Sequence, residues 1–132
     1  MKTTAPTSQI TFLYFSDMQP AHDFFAGVLG LETVEEQSFA RIYRVADRAF
    51  IGAVTGERGF HRPKAKNAVL VTLLVPDVAC WYERITASGL KIVRPLMEHK
   101  DINIRCFFFE GPGGYSFEIQ EFLDPRLREI FH

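Results

Sequence analysis

The stretch LLVPDVACWYERITASGLKI, residues 73–92, decides the fold. It continues an apolar run that begins at Leu70, and its β-branched and aliphatic content predicts a strand. Pro76-Asp77 breaks that run, and the Asp77 carboxylate can accept from the free N–H groups of a first helical turn. Trp81, Tyr82 and Ile85 then follow at helical spacing. Gly89 supplies a stop, because glycine reaches positive φ without a Cβ clash, and Ile92-Val93 begin another strand.

Moving towards the N-terminus, the same order occurs once before. QITFLYF, residues 9–15, predicts a strand, Ser16-Asp17 with Pro20 opens a helix, and Phe24, Phe25, Val28 and Leu29 fall at helical spacing. Gly30 closes it and residues 31–34 resume a strand. Asp17 to Asp77 is an offset of 60, and Gly30 to Gly89 an offset of 59. Each helix carries an aromatic pair, Phe24-Phe25 and Trp81-Tyr82. Matched order at a near-constant offset is the signature of an internal duplication.

The later parts correspond as well. Residues 41–45 and 105–109 read as strands, turns follow at 46–47 and 111–114, and residues 49–54 and 115–120 read as further strands. The predicted fold class is therefore α+β, with two tandem βαβββ units in one domain over residues 1–132. Unit one covers about 8–55, a polar, basic linker or lid about 56–67 (GERGFHRPKAKN), and unit two about 68–123. The tail, 124–132, predicts a short helix capped by Asp124.

Composition narrows the function. A formal charge of -1 and a pI near 6.4 supply no strong field for nucleic acid or a membrane surface. The apolar runs are strand-sized, and the start, residues 1–8, is polar without a signal-peptide core, so a cytoplasmic location is expected. Cys80 and Cys106 have no paired spacing and read as two buried, reduced thiols. Thirteen Phe exceed what a small core needs, so some are expected to line a cavity or a subunit interface.

The segments FFAGVLGLE (24–32), LLVPDVACWYERITASGLKI (73–92) and GPGGYSFEIQEF (111–122) resemble the vicinal oxygen chelate superfamily of glyoxalase I, bleomycin-resistance proteins and extradiol dioxygenases. The resemblance covers roughly residues 8 to 123. It implies that the two units form a cup-shaped mixed sheet with helices on the outer face. It also implies that metal-dependent members carry one ligand in the first and one in the last strand of each unit, the former seven residues before the capping Asp. Those positions here are Ile10, Leu70, Gly52 (or Ile51) and Glu118, and of these only Glu118 offers a metal donor. His22, His61, His99 and His132 fall at none of them. The resemblance therefore leads to an expectation of no metal and no cofactor.

If Ile10 and Leu70 face the cup, strand alternation brings Phe12, Tyr14, Thr72 and Leu74 to the same side, and Glu118 brings Ser116 and Gln120. Aligning the second halves sets Arg44 opposite Phe108. The expected substrate-binding set is thus Tyr14, Arg44, Thr72, Phe108, Ser116 and Gln120, with His61 of the basic linker closing on an anion. Glu118 is the candidate catalytic residue, acting as base or acid, unless Arg44 or Arg105 pairs with it. The resulting expectation is a glyoxalase/bleomycin-resistance-like small-molecule-binding protein, acting as a homodimer, whose ligand is apolar or aromatic and can be anionic. The alternative is a metal-free or metal-dependent glyoxalase-type lyase, isomerase or dioxygenase using Glu118.

Overall fold

The computed structural model describes residues 5–132, so half of the polar start (residues 1–4) lies outside the described residues. Two compact units divide within the linker, one ending at Lys64 and the other starting at Ala65. Segment 56–67 contains neither helix nor strand.

Unit one runs β1 (Gln9–Phe15), α1 (Met18–His22) with a π-helical continuation (Asp23–Val28), β2 (Glu32–Glu36), β3 (Ala40–Ala46) and β4 (Ala49–Thr55). The strands form one sheet in the order β1-β4-β3-β2, with β1 parallel to β4 and the other pairs antiparallel. A parallel pair requires a crossover, and the helix that crosses covers one face of the sheet. Asp17 accepts from the Gln19 N–H at 3.1 Å, as a cap should.

The helix then departs from expectation. Its last turn widens, with the Leu29 N–H donating to the Phe24 carbonyl five residues back at 2.9 Å. That extra residue changes which side chains share a face, and Phe24, Phe25 and Leu29 are all buried. Phe25 stacks on Tyr43 of β3 at 5.1 Å between centroids, and the Tyr43 hydroxyl hydrogen-bonds His22 Nδ1 at 2.9 Å. Burial raises the Tyr43 pKa, against the opposing charge of Arg41. Gly30 ends the segment at φ 69°, a left-handed conformation that penalises any side chain.

Unit two repeats the architecture: β5 (Leu70–Leu74), α2 (Val78–Ala87), β6 (Lys91–His99), β7 (Ile104–Glu110) and β8 (Ser116–Phe122). Its sheet order is β5-β8-β7-β6, with β5 parallel to β8. Asp77 caps α2 at the Cys80 N–H, and Gly89 closes it at φ 81°. Phe107, Phe109, Phe117 and Ile119 are buried under α2 with Ile85, and the rings of Phe109 and Phe117 stack at 5.4 Å. This accounts for much of the Phe load. Among the described residues no helix is long and apolar enough to cross a membrane.

The predicted tail helix is present as α3 (Pro125–Phe131), with Asp124 accepting from the Arg126 N–H. A buried carboxylate ties it down. Glu121 is 8% exposed, accepts from the Val78 N–H at the start of α2, and pairs with Arg128 of α3 at 3.0 Å. Arg128 also donates to the Phe122 and Pro76 carbonyls. One guanidinium therefore joins α3, the end of β8 and the turn before α2. Arg128→Ala removes this link and leaves Glu121 with only the Val78 N–H, so a loss of about 2 kcal/mol is expected. Urea unfolding checks it, and an unchanged midpoint and slope would refute the clasp.

Candidate functional site

In each unit, the sheet face away from the helix carries the candidate site. Along β1, Leu13 and Phe15 enter the core while Ile10 and Phe12 are 40% and 41% exposed on the other face. The ladder sets Phe12 beside Gly52 and Gly52 beside Ile42. The Phe12 ring occupies the space above Gly52 so closely that a Cβ there would overlap ring carbons. Any residue larger than glycine at 52 would expel the ring.

The linker continues this face. Gly59 packs against the Tyr14 ring and Val54, again without room for a Cβ. Arg58 lies over the Phe39 ring at 5.1 Å and donates to Ser38 Oγ at 3.0 Å. Together with Phe12, Tyr14, Phe39, Ile42 and Phe60, these residues border a cavity of about 340 Å³. Phe60 is 89% exposed at its mouth. His61 touches Tyr14 edge-on at 5.5 Å without joining the lining.

In unit two the equivalent ladder positions hold a polar pair beside a ring. Thr72 stands beside Glu118, and Glu118 beside Phe108. Thr72 Oγ1 donates to Glu118 Oε1 at 2.8 Å, and Glu118 is 7% exposed. The Cys106 thiol also hydrogen-bonds Glu118, and burial pushes its pKa up to about 11, with the Glu118 charge and hydrogen bond adding to the effect. A second cavity of about 370 Å³ lies on this unit, bordered by Leu70, Val93, Arg94, Phe108 and Ser116 among others. Glu118, Thr72 and Gln120 are not in its lining.

Several expectations need correction. Neither arginine named for Glu118 reaches it: Arg105 pairs with Glu98, and Arg44 with Glu32, both at 3.2 Å. Arg44 is further held by the Asp47 carbonyl and the Phe50 ring, outside both cavities. The unit-one counterpart of Phe108 is Ile42, which faces Gly52 as Phe108 faces Glu118. Arg44, opposite Phe50, matches Glu110 opposite Ser116. The two-residue error kept the face and changed the position. Cys106 is buried but Cys80 is exposed.

Sequence reasoning missed Phe39, Arg58, Phe60 and Arg94. For Arg94 a signal existed, since Pro95 cannot donate to a ladder and so marks an irregular strand.

Of the four positions that the resemblance implies for metal ligands, Ile10 and Leu70 are aliphatic, Gly52 lies under a ring, and Glu118 is held by Thr72 and Cys106. One carboxylate does not make a site that wants about three protein ligands. Among the described residues no group of three or more His, Cys, Asp or Glu could hold a metal ion. The donors at these positions thus do not fit a divalent metal.

The glyoxalase/bleomycin resistance protein/dioxygenase superfamily model matches residues 8–119, most of the chain. The chain belongs to that superfamily. Solved structures agree on the fold. TioX from Micromonospora sp. ML1 matches with a TM-score of 0.75 at 19% identity, covering 89% of this chain and 100% of that one. A glyoxalase/bleomycin resistance protein/dioxygenase from Nocardioides gives 0.74 at 18%, covering 94% and 88%. FosX, a fosfomycin resistance protein of Listeria monocytogenes, gives 0.74 at 15%, covering 95% and 99%. At such identities the likeness is one of fold, and members of a fold differ in chemistry. A sugar fermentation stimulation protein homolog from Syntrophobacter fumaroxidans is 36% identical over 72 residues, 52% of this chain. That match spans about a quarter of the curated protein (26%), too little to transfer an activity.

The thiols offer a direct check. Cys80 should react rapidly with Ellman's reagent at pH 8, and Cys106 only on unfolding. Because the Cys106 pKa is raised from 9.0 to about 11, its contribution to stability is full below about pH 9 and is lost as pH rises towards 11. Cys106→Ala should flatten that alkaline decline in urea midpoints, and an unaltered decline would place the titrating group elsewhere.

Proposed function

We propose that this protein binds a small apolar or aromatic molecule without the metal used by catalytic members of its superfamily. The observation that carries the reading is the replacement of a first-unit ligand position by Gly52 beneath the Phe12 ring. Where a metal-dependent relative needs a donor, this chain has a hydrocarbon surface continuous with Tyr14, Phe39 and Phe60. The cavity they border, about 340 Å³, is at the small end of ligand pockets. Rings on its walls favour a flat, apolar ligand through stacking and edge contacts. Arg58 at the rim accommodates an anionic substituent.

Glu118 takes a structural part in this reading. Its carboxylate accepts from Thr72 and Cys106 and fixes the centre of the second sheet. Tyr14 contacts the ligand, while His61 supports the Tyr14 ring from its edge.

A neutral fluorescent probe, N-phenyl-1-naphthylamine, tests the proposal on protein dialysed against EDTA. Saturable binding is expected, weakened about tenfold by Tyr14→Ala, which removes about 1.4 kcal/mol of contact. Gly52→Val, which expels the Phe12 ring, should weaken it comparably. Stoichiometric zinc, nickel, iron or manganese in the purified protein, with binding lost on its removal, would overturn the reading.

We also propose a cytoplasmic homodimer, the pairing because an apolar edge strand such as β5 (Leu70–Leu74) tends to be covered by a second copy. Light scattering should give twice the 15.1 kDa chain mass, and a 15.1 kDa particle at all concentrations excludes the dimer.

A further inference from the structure

We propose that the second unit holds a separate site for a small planar acid, a ring bearing a carboxylate or phosphate, with Arg94 as its anion-binding group. Three independent features of β6, β7 and β8 converge there.

The first is the backbone that presents Arg94. The β6–β7 register shifts on both sides of the Arg94–Phe108 pair, once between Ile92 and Arg94 and again between Arg94 and Met97. Two bulges therefore flank one arginine. Bulges re-aim side chains, and here consecutive residues Val93 and Arg94 both border the cavity, which a regular strand would not allow. Pro95, which cannot donate to a ladder, accounts for the second shift.

The second is charge. The Arg94 guanidinium lies over the Phe108 ring at 5.3 Å, and no carboxylate lies within ion-pair distance of it among the described residues. Other arginines on strands are matched: Arg41 with Glu36, Arg44 with Glu32 and Arg105 with Glu98. Arg94 differs in being stacked, unpaired and directed at a cavity. A guanidinium that lies over a ring and has no carboxylate partner keeps N–H donors free for the two oxygens of an oxyanion.

The third is the cavity, about 370 Å³, which is large enough for a ring with one acidic substituent. Val69, Leu70 and Val93 give it apolar walls, and the Ser116 hydroxyl supplies a neutral donor opposite the arginine's strand. Gly114 stands two residues before Ser116. At φ 75° it brings the turn against the Ala65 carbonyl, where a Cβ would collide.

The ring of the ligand packs on the aliphatic wall while its acid group meets Arg94 and Ser116. This site is independent of the aromatic cavity in the first unit and stands or falls separately.

Titrations followed by ¹H–¹⁵N NMR test it, with benzoate, phenyl phosphate and the uncharged benzyl alcohol as probes. The two acids should give saturable shifts at the Leu70, Phe108 and Ser116 amides, and the tighter of them identifies the acid class. Benzyl alcohol should bind at least about tenfold more weakly, and added salt should weaken the acids alone. Arg94→Gln should cost the acids about tenfold or more, and Arg94→Lys less, because a point charge lacks the fork. Equal binding of acid and alcohol would overturn the proposal. So would acid affinity indifferent to both Arg94→Gln and salt, shifts confined to other residues, or no saturation by either acid.

Discussion

The parallel pairing of the first and last strands in each unit is the constraint on which the rest of the structure depends. Parallel neighbours cannot be joined by a tight turn, so β1 and β4, like β5 and β8, need a crossover. The crossover includes a helix, the helix buries one face of the sheet, and the opposite face is left open. The same pairing decides which residues meet on that face. It brings Phe12 to Gly52 in one unit and Thr72 to Glu118 in the other. A site residue here is defined by two strands far apart in sequence, not by any local motif.

That dependence explains how much was legible beforehand. The helices and their boundaries were, because an aspartate cap and a left-handed glycine act within a few residues of where they stand, as Asp17 with Gly30 and Asp77 with Gly89 do. Strand faces were also legible, since alternation fixes them once one residue is placed. Register was not. Composition is nearly the same two residues along, so Arg44 seemed to match Phe108 when the ladder assigns Ile42. The π-helical turn was hidden for a related reason: Phe24, Phe25 and Leu29 satisfy an ordinary helical pattern almost as well as the wider one.

Side-chain partners were the least legible. An arginine partner was the alternative to a catalytic role for Glu118, because a buried carboxylate is costly without a compensating group. Long-range charge is only one way to meet that cost. A hydroxyl at 2.8 Å and a thiol meet it through hydrogen bonds, and both lie on the strands directly beside β8, β5 and β7. The arginines in turn took the acidic partners nearest in their own ladders, Glu32 for Arg44 and Glu98 for Arg105. Such pairings follow from register, and so inherit its ambiguity.

The two units answer the same geometric problem with opposite chemistry. At the centre of each open face, the first and last strands bring two side chains to one spot, and there both must be large, both small, or one must yield to the other. In unit one the last strand yields completely: Gly52 has no side chain, and the Phe12 ring fills the space. In unit two neither yields, and the pair is reconciled by a hydrogen bond from Thr72 to Glu118. The first solution produces an apolar surface whose shape depends on one missing Cβ. The second produces a fixed polar centre whose oxygens are already engaged. Neither leaves a set of free donors converging on one point, which is what a bound divalent metal requires. In the two proposed sites ligand recognition therefore falls to the margins of each face, to Arg58 above Phe39 and Arg94 above Phe108, where a cation is held on a ring and kept accessible.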